Sequence, residues 1–73
     1  MVVIELSKWV NGPQTVEAVR IIRTHSNLGL KNSKKLVEDC LDGNSPHFKA
    51  ADLQTAERLL RELEDIGLEA RLI

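Results

Sequence analysis

The chain has 73 residues, a formal net charge of −1 and 42% hydrophobic residues, so it holds one domain with one core, and a deep enzymatic cleft with its own supporting shell does not fit. Trp9 and Phe48 are the only aromatics, which excludes a base-stacking platform, and the single cysteine, Cys40, excludes an internal disulfide. The charge is divided: residues 15–36 carry five Lys/Arg and one acid, residues 38–73 nine acids and four bases, an asymmetry that bears on partner choice rather than on fold.

Residues Val2 to Lys8 have strand composition, with Ile4 and Leu6 alternating against Glu5 and Ser7, and Trp9 and Val10 close the strand. No apolar run reaches bilayer-spanning length and the start lacks a signal-peptide layout, so the expected setting is cytoplasmic, with no membrane partner. Asn11-Gly12-Pro13 is turn chemistry. A first helix follows from about Thr15 to Thr24, with Gln14 or Thr15 at its cap. On a helical wheel Ala18, Ile21 and Ile22 form a core stripe, while Val16, Val19, Arg20 and Arg23 share a second face that is apolar and basic together.

Ser26-Asn27-Leu28-Gly29 is a corner, in which Asn27 and Gly29 tolerate turn or left-handed conformations and Leu28 and Leu30 are expected to pin the corner to the core. The second helix runs from about Leu30 to Leu41, with an apolar stripe of Leu30, Val37 and Leu41 flanked by Leu36 and Cys40, and with Lys31, Lys34 and Lys35 along one exposed edge. Residues 42–46 form a loop carrying the C-cap glycine. His47 to Ala50 is a short strand anchored by Phe48. Asp52 caps a third helix, Leu53 to Ile66, whose core stripe is Leu53, Ala56, Leu59, Leu60, Leu63 and Ile66. Gly67 ends it, and Leu68 to Ile73 alternates as an antiparallel strand. The order β-α-α-β-α-β predicts an α+β two-layer sandwich, three helices on a small antiparallel sheet, spanning residues 1–73 as a single domain.

The surplus face of the first helix, with Lys31 and Lys34, reads in two ways. It is a docking patch for an acidic, amphipathic partner helix, or the valines belong to a wide core and the bases to a solvated rim. A helix-turn-helix nucleic-acid reader is the runner-up. Against it stand the slightly negative net charge and the scarcity of base-reading side chains at the start of the second helix, where Asn32 is alone. His25, His47 and Cys40 match no metal spacing, and Ser26 and Ser33 have no base and acid partners, so neither a metal, a cofactor nor catalysis is expected.

The stretch TVEAVRIIRTHSNLGLKNSKKLVE resembles the signature of the C-terminal domain of the bacterial large-subunit ribosomal stalk protein (L seven/twelve). That family shows K-V-x-V-I-K-x-V-R, a corner T-G-L-G-L-K, and E-A-K-x-L-V-E. The matching positions here are Val16, Val19 (Ile in the family), Arg20 (Lys in the family), Arg23, Leu28 to Lys31, Lys34 and Leu36 to Glu38. Ala56, Glu57, Leu59, Leu63, Glu64, Gly67 and Glu69 resemble the family's ending. The resemblance implies the same β-α-α-β-α-β sandwich and a non-enzymatic role in recruiting translational GTPases (elongation or initiation factors) to the ribosome. Carried over by position, the partner-binding residues are Val16, Val19, Arg20, Arg23, Gly29, Lys31 and Lys34. Glu17 stands where the family has a small residue, Asn27 where it has a glycine and Asn32 where it has an acid, and the segment from Asp39 to Ala51 is a few residues longer. The family's dimerisation region and hinge have no counterpart in these residues. The resemblance therefore implies an excised domain or a stand-alone relative, expected to be monomeric, that uses the docking surface elsewhere as an adaptor or regulator.

Overall fold

The fold was obtained as a computed structural model that describes residues 2–73. Six elements follow one another: β1 (Val2–Trp9), α1 (Thr15–His25), α2 (Leu30–Leu41), β2 (His47–Ala50), α3 (Leu53–Asp65) and β3 (Leu68–Leu72). The three strands form one antiparallel sheet in the order β2-β1-β3, so the first strand is central and both later strands are edges. The α+β order expected from the pattern is the order found.

The period-2 alternation of β1 explains its central place. Ile4 and Leu6 are fully buried on the helix side and meet Phe48, Ala50 and Leu68 from the edge strands. Helix α2 lies on β1 and α3 on β3, while α1 packs against both helices. Ala18, Ile21 and Ile22 of α1 and Ala56, Leu59 and Leu63 of α3 complete the core, and Cys40 is buried, its thiol pKa raised by burial.

The opposite face of the sheet is polar and stitched. Glu5 Oε2 accepts from His47 Nε2 at 3.0 Å on β2, and Glu5 Oε1 accepts from Arg71 Nε at 2.6 Å on β3, so one carboxylate bonds to both neighbouring strands. The His47 hydrogen bond, and then that of Arg71, hold the Glu5 carboxyl below its usual pKa.

Helix ends follow local chemistry. Asp52 Oδ1 accepts the Thr55 amide at 2.7 Å and caps α3. Helix α2 ends in a Schellman turn, with the Asn44 amide donating to Asp39 O at 3.0 Å and the Gly43 amide to Cys40 O at 3.2 Å. Gly67 ends α3 at φ +87°, and a Cβ built there would lie 2.1 Å from Asn11 O. The Gly67 carbonyl in turn accepts from Val10 at 2.7 Å and Asn11 at 3.3 Å. Glycine is therefore required at this position both by its backbone angle and by the crossing of the two turns.

Four expectations are corrected. Leu30 does not pin the corner to the core; it is 46% exposed, as are Leu41 at 45% and Leu53 at 52%. The core side of α2 is Ser33, Val37 and Cys40 instead. All three exposed leucines sit at helix ends, Leu30 and Leu41 at the two ends of α2 and Leu53 at the start of α3. The corner also needs no left-handed residue. Asn27 has no positive φ, and Gly29 is extended at φ −78° and ψ 177°, conformations open to any residue. Ser26 takes over the work of the turn: its Oγ donates to Ile22 O and accepts the Leu28 amide at 3.3 Å.

Candidate functional site

Helices α1 and α2 meet along one flank and leave a groove of about 550 Å³ on their outer side. The 3.6-residue period produces it: when Ala18, Ile21 and Ile22 face the core, Val16, Val19, Arg20 and Arg23 must face away at i, i+3, i+4 and i+7. On α2, turning Ser33, Val37 and Cys40 inward sends Leu30, Lys34 and Leu41 to the groove side, with Glu38 beside them. Val37, 1% exposed, is the floor, where core and groove meet.

The two valines separate. Val19 is half-buried and packs on the core, so part of the surplus apolar surface is ordinary core margin. Val16 is 77% exposed and has no such role. The exposed Leu30 and Leu41, at the two ends of α2, line the same groove. Sequence reasoning missed these two leucines as site residues because it spent them on the core. The available signal was their place at the two ends of α2.

Arg20, Arg23 and Lys34 line the groove as well. Arg20 is ion-paired with Glu17 one turn before it, one of the residues that depart from the family pattern. Arg23 and Lys34 have no ion-pair partner among the described residues. Of the carried-over positions, Val16, Val19, Arg20, Arg23 and Lys34 line the groove. Gly29 and Lys31 are exposed but do not, Lys31 lying on the crest of α2 between this groove and a larger hollow on its other side, which includes Lys35.

The two histidines are engaged structurally. His25 pairs with Glu62 of α3, and His47 with Glu5. Among the described residues, no three His, Cys, Asp or Glu side chains gather into a metal-holding cluster, and no helix is long and apolar enough to cross a membrane. The three lysines of α2 are followed by Glu38, Asp39 and Asp42, so the exposed side of that helix is mixed in charge rather than uniformly basic.

The chain is similar to proteins called large ribosomal subunit protein bL12. It is 40% identical over 63 residues to that of Buchnera aphidicola subsp. Cinara cedri, covering 84% of this chain and 48% of the relative. It is 35% identical over 63 residues to that of Buchnera aphidicola subsp. Acyrthosiphon pisum, covering 86% and 49%. To that of Aromatoleum aromaticum it is 33% identical over 61 residues, covering 84% and 47%. The chain thus spans about half the length of the curated relatives it matches. No protein-family profile matches it. No solved structure matches it.

Proposed function

Because the chain is a homologue of the bL12 ribosomal stalk proteins over the half of their length that forms their C-terminal domain, we propose that it is a non-enzymatic docking domain for a translational GTPase. The α1–α2 groove takes an acidic, amphipathic helix of that partner. The observation that carries this reading is Val16, 77% exposed in a groove that the exposed Leu30 and Leu41 and the basic Arg20, Arg23 and Lys34 also line. A core residue has no reason to be so exposed, and a purely solvated surface has no reason to line one groove with three large aliphatics. The aliphatics supply the desolvated centre of an interface, and the bases steer and register a negatively charged helix.

The test is titration of a purified elongation-factor GTPase with the wild-type domain and with Val16→Asp and Arg23→Glu. Each variant is expected to weaken binding tenfold or more, about 1.4 kcal/mol or above, while far-UV circular dichroism and the melting temperature stay within error. Binding unchanged by both substitutions overturns the reading. So does loss of the fold in Val16→Asp, since the valine would then be core.

The nucleic-acid alternative rests on exposed Lys31, Lys34 and Lys35. Phosphate-driven binding weakens steeply with salt, so an oligonucleotide titration at low and moderate salt separates the two readings.

A further inference from the structure

The larger hollow, of about 1060 Å³, lies between the α1–α2 corner, α2 and the outer edge of β2. Its lining includes every residue from Pro46 to Ala51, so the strand edge runs along it. Leu28, Leu36 and Phe48 give it an apolar floor. Its rim carries Lys35, Lys49 and the two histidines against a single acid, Asp39. The α1–α2 groove uses none of these residues.

The backbone of β2 can be assigned group by group. Leu6 donates to Pro46 O at 3.0 Å, and the register pairs Ile4 with Phe48 and Val2 with Ala50. Hydrogen-bonded pairs alternate along an antiparallel ladder, so Phe48 and Ala50 turn their N–H and C=O groups toward β1. The Ile73 amide, donating to Val3 O on the other side of β1 at 3.1 Å, confirms the phase. His47 and Lys49 therefore point their N–H and C=O groups outward, and among the described residues no backbone hydrogen bond outside the ladder reaches them. An exposed edge of this kind is a template for another strand.

Charge decides what kind of strand. His47 already faces Glu5 across the ladder, but the β1 neighbour of Lys49 is Val3, and neither Lys49 nor Lys35 has an ion pair among the described residues. A second copy of the chain fits badly. Antiparallel pairing of β2 with itself must match outward groups with outward groups, and the two registers of greatest overlap set Lys49 against His47 or against another Lys49, with no acid opposite Lys49 in either. An acid opposite Lys49 has the favourable sign.

We infer that the outer edge of β2 and the hollow beside it bind an extended acidic peptide, which adds a strand antiparallel to β2 in an acid–apolar–acid pattern. The acids lie on the side of the sheet shared by His47 and Lys49. The apolar residue between them points the other way, into the hollow over Phe48 and Leu36, where Lys35 is within the same rim. This site is independent of the α1–α2 groove.

The test uses the ¹⁵N-labelled domain with a blocked decapeptide centred on Glu-Val-Glu-Val-Glu, its Lys-Val-Lys-Val-Lys counterpart, and a ten-nucleotide oligo-dT. The glutamate peptide is expected to shift the His47 and Lys49 amides and slow their hydrogen exchange about tenfold, and the lysine peptide and oligonucleotide to do neither. Lys49→Glu should reverse the peptide preference. Lys49→Pro should abolish binding with the fold retained, because only an outward N–H is removed; if it fails to fold, Lys49→Glu decides alone. Val16→Asp should leave the effect intact. No protection, equal protection by both peptides, protection by the oligonucleotide, or shifts confined to the α1–α2 groove each overturn the inference.

Discussion

Ser33 is a polar residue buried in the core, 0% exposed, and its hydroxyl has no hydrogen-bond partner among the described residues. Stripping water from a hydroxyl without replacing the bond is unfavourable, and serine is also a weaker helix former than alanine. Ser33→Ala should therefore raise stability by about 1 kcal/mol, seen as a higher urea midpoint at unchanged m-value. A lower midpoint would mean that the hydroxyl bonds a helix carbonyl in solution. Alanine is the residue that the stalk-protein motif E-A-K carries at this place. Gly67 is the opposite case. With φ at +87° and the Asn11 carbonyl 2.1 Å from any added Cβ, Gly67→Ala should cost on the order of 3 kcal/mol by the same assay. Its role as the end of α3 was legible from its place after the helical pattern. The crossing with Asn11 was not, since it joins turns far apart in the chain. Gly29 matches the family motif, yet its extended backbone and open surroundings make no structural demand for glycine.

At the level of elements, two carboxylates tie pieces together, and their lowered pKa values make the fold sensitive to acid. Asp52 is held below its usual pKa by the Thr55 backbone hydrogen bond at the start of α3, and Glu5 by His47 first and Arg71 second across the sheet. A carboxylate with a lowered folded pKa contributes stability that is fully present above its unfolded value. That contribution is lost as pH falls through the folded value. The window thus opens below the ordinary values of 4.5 for Glu5 and 3.8 for Asp52 and continues downward. Urea midpoints measured from pH 6 to pH 2 should fall in that range. Asp52→Asn should flatten its part of the slope while keeping the cap, because asparagine caps as well as aspartate. If the slope is unchanged in Asp52→Asn and in Glu5→Gln, these groups do not control acid unfolding. The cap was readable in the sequence from Asp52 before an apolar helical run. The Glu5 link was not, because it depends on the register that sets His47 and Arg71 on either side of one residue.

Across the whole molecule, the element order and the sheet were legible because each element carries its own period: two in β1 and β3, and 3.6 in the helices. What the periods could not assign was the border between core and site. Leu30, Val37 and Leu41 occupy one wheel sector of α2, yet only Val37 is buried in the core, and the two leucines are exposed in the groove that Val16 also lines. One stripe therefore lies partly in the core and partly in the groove, and substitution should separate the two settings. Val37→Ala, at a site 1% exposed, should cost about 2 kcal/mol of stability. Leu30→Ala and Leu41→Ala, at sites nearly half exposed, should each cost well under about 1 kcal/mol. If the groove is the docking surface, the ranking inverts in a GTPase titration. The two leucine variants should each weaken binding several-fold with unchanged melting temperature, and Val37→Ala should act in proportion to its loss of folded protein. Equal stability costs at all three positions would mean that the groove closes in solution into a single core. Leucine variants with wild-type affinity would leave Val16 without partners in the groove, and the docking reading would fail with them.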